Sequence, residues 1–172
     1  VNEGLPDNSI GPLAEDTNGN VWIGTTAGLA RFTYGTFKTF TTEQGLASNV
    51  IQVVFARANG SLLVVTSAGV QSLSGESFSN WSTPVDAPAV NITAIAEETN
   101  GHLWYGTLDG LFGFDDQDPI FGAITLPNTR ISALRMDREG ALWIATAGGL
   151  ARLRHGKIET FSSANGLSSN LV

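Results

Sequence analysis

A chain of 172 residues, 42% apolar and 15% charged, is long enough to bury one sizeable core and too apolar and weakly charged to be disordered. Its formal net charge of −7 argues against a nucleic-acid partner or a polybasic membrane anchor, because phosphates and anionic headgroups call for a basic face. There is no run of about 18 apolar residues to span a bilayer, and no cysteine for a disulfide or a thiolate metal site. The chain begins with Val rather than Met and shows no secretory signal, so the expectation is a piece of a longer product or a processed form.

In chain order, the first strand expected is "SIGPLAED", Ser9 to Asp16. Asn18-Gly19 marks a hairpin turn, since both residues tolerate positive φ. "NVWIGT" (Asn20–Thr25), "LARFT" (Leu29–Thr33) and "FKTFTT" (Phe37–Thr42) follow, separated by turns at Gly28 and at Tyr34-Gly35. The same sentence then returns three times. Trp22, Leu63, Trp104 and Trp143 hold one column, at separations of 41, 41 and 39 residues. The turn glycines Gly19, Gly60, Gly101 and Gly140 keep that spacing, as do Thr25, Thr66, Thr107 and Thr146, Gly28, Gly69, Gly110 and Gly149, and Ile10, Ile51, Ile92 and Ile131. Internal repetition at this period decides the fold before any local feature does.

The second strand of every copy is apolar on both faces, as in Val21-Trp22-Ile23 and Leu142-Trp143-Ile144, and so is expected to be covered on both faces. The third and fourth carry charge, such as Arg31, Lys38, Arg152 and Glu159. A sheet that is apolar in its inner part and wetter outside suits an all-β chain, a β-propeller of four-stranded antiparallel blades. The blades are assigned to residues 4–44, 45–85, 86–126 and 127–165, with 166–172 starting a further repeat. Four copies suggest part of a larger ring, or two chains pairing as a homodimer that completes one.

The stretch Gly4 to Phe32, "GLPDNSIGPLAEDTNGNVWIGTTAGLARF", resembles the two-component regulator propeller repeat. The pattern restarts at Gly45-Leu46 with Asn49 and at Gly166-Leu167 with Asn170. Copy two departs from it, with Leu63 for the Trp, Val65 for the Gly and Arg57 for the Asp. The resemblance implies an extracytoplasmic (periplasmic) sensor module of a bacterial receptor whose output is a histidine kinase or diguanylate cyclase. It implies a carbohydrate or other small polar ligand and no catalysis in this chain. Two other readings stay open. One is a propeller enzyme of the lyase or glycan-cleaving type, since "GHLWYGT" also resembles the motif of lyases acting on streptogramin. The other is a scaffold for protein partners.

No cofactor, metal site or catalytic set is expected. Trp22, Trp104 and Trp143 invite sugar stacking, but their apolar neighbours favour packing between blades; Trp81, in the column of Phe40, reads as outer core. His102 and His155 fall in turns and are expected in solvent. Asp16, Glu98 and Asp137 look like a ring of metal ligands; Arg57 breaks the ring, and a turn role fits better. Loops that break the repeat are free to serve function. Propeller geometry puts the connections between blades on the same end as the turns between second and third strands. On that end Asp109 and Arg130 are the charged, non-repeating residues, and Asn8, Asn49 and Asn91 offer amides to hydroxyls, unless these asparagines only shape their loops.

Overall fold

The computed structural model describes residues 4–82, 92–114, 119–120 and 126–172. Four antiparallel four-stranded sheets follow one another, each a meander in sequence order. The first sheet holds β1 (Ile10–Glu15), β2 (Val21–Thr25), β3 (Leu29–Thr33) and β4 (Thr36–Phe40). The second holds β5 (Ile51–Ala56), β6 (Leu62–Thr66), β7 (Gly69–Ser74) and β8 (Ser77–Asn80). The third holds β9 (Ile92–Glu97), β10 (Leu103–Thr107), β11 (Leu111–Phe114) and β12 (Pro119–Ile120). The fourth holds β13 (Ile131–Met136), β14 (Leu142–Thr146), β15 (Gly149–Arg154) and β16 (Lys157–Phe161). The described strands fall into two compact units, β1–β8 and β9–β16.

The expected strands of the first copy match to within about two residues. The difference is at the end of the fourth, where Thr42–Gln44 turns into a short 3-10 helix. Thr41 and Gln44 close a capping box around it, and Ser162 and Asn165 do the same after β16. Two hairpins turn through paired positive φ angles, Tyr34-Gly35 (47° and 84°) and His155-Gly156 (50° and 75°), the geometry that follows the twist of the flanking strands.

The expectation of doubly covered middle strands holds for β6 and β10, every residue of which is buried, and for β2 beyond Val21, but β14 is covered on one face only, with Trp143 and Ala145 half-buried. In the first unit Trp22, Leu29 and Phe40 of the first sheet pack with Ile51, Val54, Leu62, Val64 and Leu73 of the second. In the second unit Ala96 and Trp104 pack with Ile131, Leu142, Ile144 and Ala151. Contact between sheets is close enough to require glycine. A Cβ placed on Gly24 would lie 2.7 Å from Ile51 Cγ2, and one on Gly106 would lie 2.6 Å from Ile131 Cγ2. The same column carries Val65 in the second sheet and Ala145 in the fourth.

Each middle-strand Trp also has a polar anchor. The Trp22 indole donates to Asp16 Oδ2 (2.8 Å), Trp104 to Glu98 Oε1 (2.7 Å) and Trp143 to Asp137 Oδ2 (2.9 Å). The acidic column is thus the acceptor for a buried donor as well as a turn former. Burial pushes the Asp16 carboxyl up, but the Asn20 carboxamide, the Trp22 indole and the amides of Asn20 and Asn18 outweigh it and hold the group below its ordinary value. The Ala141 amide, with the Trp143 indole, does the same for Asp137. Among the described residues no group of His, Asp and Glu is arranged to hold a metal ion.

His102 corrects the sequence reading. It is 7% exposed, not in solvent, and its ring stacks on Trp104 at 5.0 Å. A histidine after an Asn-Gly turn reads as solvated, but the column points inward, where Asn20 bonds the Thr33 hydroxyl. His155 is exposed in its turn, as expected.

Candidate functional site

Strand register decides which loops share an end. Ile10, Ile51, Ile92 and Ile131 at the starts of the first strands pair with Thr25, Thr66, Thr107 and Thr146 at the ends of the second. In each sheet the turn between second and third strands therefore lies beside the segment that leads in from the preceding sheet. The recurring Thr and Gly columns build that turn. All four Thr side chains are buried, and each hydroxyl donates to the carbonyl of the Gly three residues on, at 2.8, 3.1, 3.0 and 2.7 Å.

The incoming segments are stitched to these turns. The Thr26 hydroxyl donates to Asp7, and the hydrogen bond helps hold the Asp7 carboxyl below its ordinary value. Ser48 and Ser67 share a hydrogen bond of 2.7 Å, and the Ala147 amide donates to the Arg130 carbonyl at 3.1 Å. Gln71 ties the second sheet to its incoming loop: it accepts from the Ala47 amide (2.7 Å) and donates to the Gly45 carbonyl (3.1 Å). Nothing in the repeat pattern marked Gln71, although a Gln inside an apolar strand is a visible signal. The Thr41-x-x-Gln44 spacing was a similar signal for the capped turn.

Asp109 and Arg130 are both exposed at this end of the second unit. The Asp109 amide donates to Thr107 Oγ1 (3.0 Å), so the loop backbone is fixed while the carboxylate faces solvent beside Leu108, which is 40% exposed. The Arg130 amide donates to Asn128 Oδ1 (2.9 Å). Among the described residues no ion pair joins Asp109 to Arg130. Asn8 is exposed, with its carbonyl accepting from the Ile10 amide. Asn49 is half-buried, and its Oδ1 accepts from the Thr42 amide (2.8 Å); Asn170 repeats this bond with Ser163 (2.6 Å). That oxygen of Asn49 holds its own loop. Asn91, with the rest of the Asp86–Asn91 loop, lies outside the described residues.

The two-component regulator propeller family matches residues 4–27 and 125–148 of this chain. No curated protein matches. Among solved structures, the extracellular domain of a protein described as a hybrid two-component system from B. thetaiotaomicron is similar over 96% of this chain and 24% of its own, with TM-score 0.80 and 20% identity. A catalytically inactive histidine-to-alanine variant of virginiamycin B lyase from Staphylococcus aureus, with quinupristin, is similar over 94% of this chain and 58% of its own, with TM-score 0.69 and 17% identity. PorZ, a bacterial surface component of the type-IX secretion system of Porphyromonas gingivalis, is similar over 99% of this chain and 30% of its own, with TM-score 0.70 and 19% identity. This chain therefore spans about a quarter of the first and just over half of the second. Four successive antiparallel blades and these likenesses establish the architecture: the chain is a partial β-propeller of four blades, two segments of which match the two-component regulator propeller repeat.

Proposed function

We propose that this chain is part of the extracytoplasmic, ligand-sensing propeller of a bacterial signalling receptor and carries no catalysis of its own. The observation that supports this most is the match of the regulator propeller repeat in the first and fourth blades, together with a fold shared with an extracellular domain of a two-component system. No helix of the described residues is long and apolar enough to cross a membrane. The ligand end is the one with the stitched turns, where Asp109 and Arg130 stand in solvent on fixed backbones. Charges of both signs suit a polar ligand rich in hydroxyls, such as an oligosaccharide. A ligand there signals only by preferring one arrangement of blades over another.

The lyase reading has less behind it. His102 and His155 lie at the opposite end of their sheets from the stitched turns, and His102 is buried against Trp104. A thermal-shift screen with neutral and acidic oligosaccharides tests the proposal. The expected result is a rise in Tm for at least one sugar that disappears in the Asp109→Ala/Arg130→Ala variant, whose own Tm stays unchanged. A sugar that stabilises both proteins equally would remove these residues from the site, and turnover of a streptogramin would overturn the non-catalytic reading.

A further inference from the structure

The stitches at the ligand end are not alike in every blade. Asp7, Ser48 and Asn128 share one column, three residues before the strand-starting Ile. Each accepts from the amide two residues on: Asp7 Oδ1 from Ser9 (3.1 Å), Ser48 Oγ from Val50 (3.2 Å) and Asn128 Oδ1 from Arg130 (2.9 Å). In the first two blades the same side chain also meets a hydroxyl on the turn between second and third strands. Thr26 donates to Asp7, and Ser67 shares a hydrogen bond with Ser48. In the fourth blade that turn position is Ala147, which has no hydroxyl. Asn128 is half-buried, and among the described residues its carboxamide nitrogen has no partner. Gly148 keeps the turn close beside it: a Cβ there would lie 3.0 Å from Asn128 Cβ and 2.7 Å from the Pro127 carbonyl oxygen.

The side chains left at this corner only donate. The Asn128 oxygen is spent on the Arg130 amide, which leaves its N–H bonds, and the Arg130 guanidinium has donors and no acceptor. The Arg130 backbone is held at its amide by Asn128 and at its carbonyl by the Ala147 amide (3.1 Å). The third blade carries Leu108 in the column of Thr26 and Ser67, followed by Asp109, an acceptor. Thr93 ties the two corners together: its hydroxyl lies 3.1 Å from the Gly106 carbonyl oxygen and 2.7 Å from that of Ile131, the residue after Arg130. Charge favours an anion here. Six of the nine Lys and Arg residues fall between Arg130 and Lys157, against three acidic residues in the fourth blade, in a chain of net charge −7.

We propose that Asn128 is a ligand-binding residue that, with Arg130, holds the carboxylate of a uronic acid, while Asp109 accepts from the hydroxyls of the same sugar. The inference rests on the ligand-sensing reading and narrows its ligand to an acidic sugar. A guanidinium fork and a carboxamide N–H pair suit the paired oxygens of a carboxylate, and charge makes those hydrogen bonds strong. In the first two blades the turn hydroxyl already occupies the equivalent side chain, which makes it part of the scaffold. Loss of that hydroxyl in the fourth blade releases Asn128 for a ligand.

The probes are di- and trisaccharides of galacturonate and glucuronate, with their methyl esters as neutral counterparts, titrated into the chain by calorimetry. Saturable binding of a uronate is expected, about tenfold weaker for its ester, the size of losing one charged hydrogen bond. Asn128→Ser keeps a turn acceptor, as Ser48 does, and removes the carboxamide donors. It should weaken the uronate about tenfold, leave the ester unchanged and leave the urea midpoint where it was. Ala147→Ser supplies the hydroxyl that Ser67 has in the second blade, so it should engage Asn128 and weaken the uronate without altering any charge. Equal binding of uronate and ester, uronate binding indifferent to Asn128→Ser, or equally tight binding of a sulfated sugar without a carboxylate overturns the proposal. A neutral sugar that binds through Asp109 while every uronate fails overturns it and leaves the ligand-sensing reading standing; failure of every sugar counts against both.

Discussion

The second blade differs from the other three in a way that exposes the logic of the repeat. Blades one, three and four set a Trp in the middle strand and an acidic residue in the turn before it, joined by an indole hydrogen bond of 2.7 to 2.9 Å. The second blade has Leu63 and Arg57 in those two columns. The donor and the acceptor left together, so neither is stranded, and Leu63 is fully buried. Arg57 serves a different ring: its guanidinium lies 5.3 Å over Trp81, which stands in the column of Phe40. A buried polar pair is costly to break and nearly neutral to replace as a unit, and the fourfold sequence displays both alternatives.

Three measurements break or sharpen that comparison. The largest effect is expected at the covered tryptophans. Trp104→Ala, by urea unfolding, should lose about 3–5 kcal/mol, as for other large-to-small core changes. Trp143→Ala, on a half-exposed ring, should lose about half as much for want of burial; equal losses would show that the anchor matters more than the cover. Next, Leu63→Trp in the second blade should cost about 1–3 kcal/mol through overpacking and an indole with no acceptor. Adding Arg57→Asp should recover about 1 kcal/mol as a coupling between the two sites; strict additivity would break the paired reading. The smallest effect is acid sensitivity. The Asp16 carboxyl sits below its ordinary value of 3.8 when folded, so its contribution is complete above about pH 4 and is lost as pH falls through the folded value. Asp16→Asn should remove part of the fall in Tm below pH 4, on the order of 0.5 kcal/mol for a half-buried group that solvent still screens. A variant that follows the parent curve throughout would detach Asp16 from the acid response.

Periodicity made the blades legible because each recurring column solves one local problem. The Thr column closes a turn, the middle-strand Trp fills a core, and the strand-starting Ile fits where Gly24 or Gly106 leaves room. Side-chain roles inside a column were less legible. His102 reads as a turn residue, yet stacking on Trp104 buries it, since its environment depends on a ring two residues along the strand. Asn49 reads as a ligand amide, and its oxygen proves to hold the Thr42 amide, a bond set by loop closure over seven residues.

The sequence by itself determined the strand order, the turn chemistry and the antiparallel meander of each blade, because those depend on short-range alternation and on residues that tolerate positive φ. Only the tertiary structure decided which faces are covered. Trp22 and Trp143 are written alike, and the difference in their exposure comes from what packs against them, which no local pattern records.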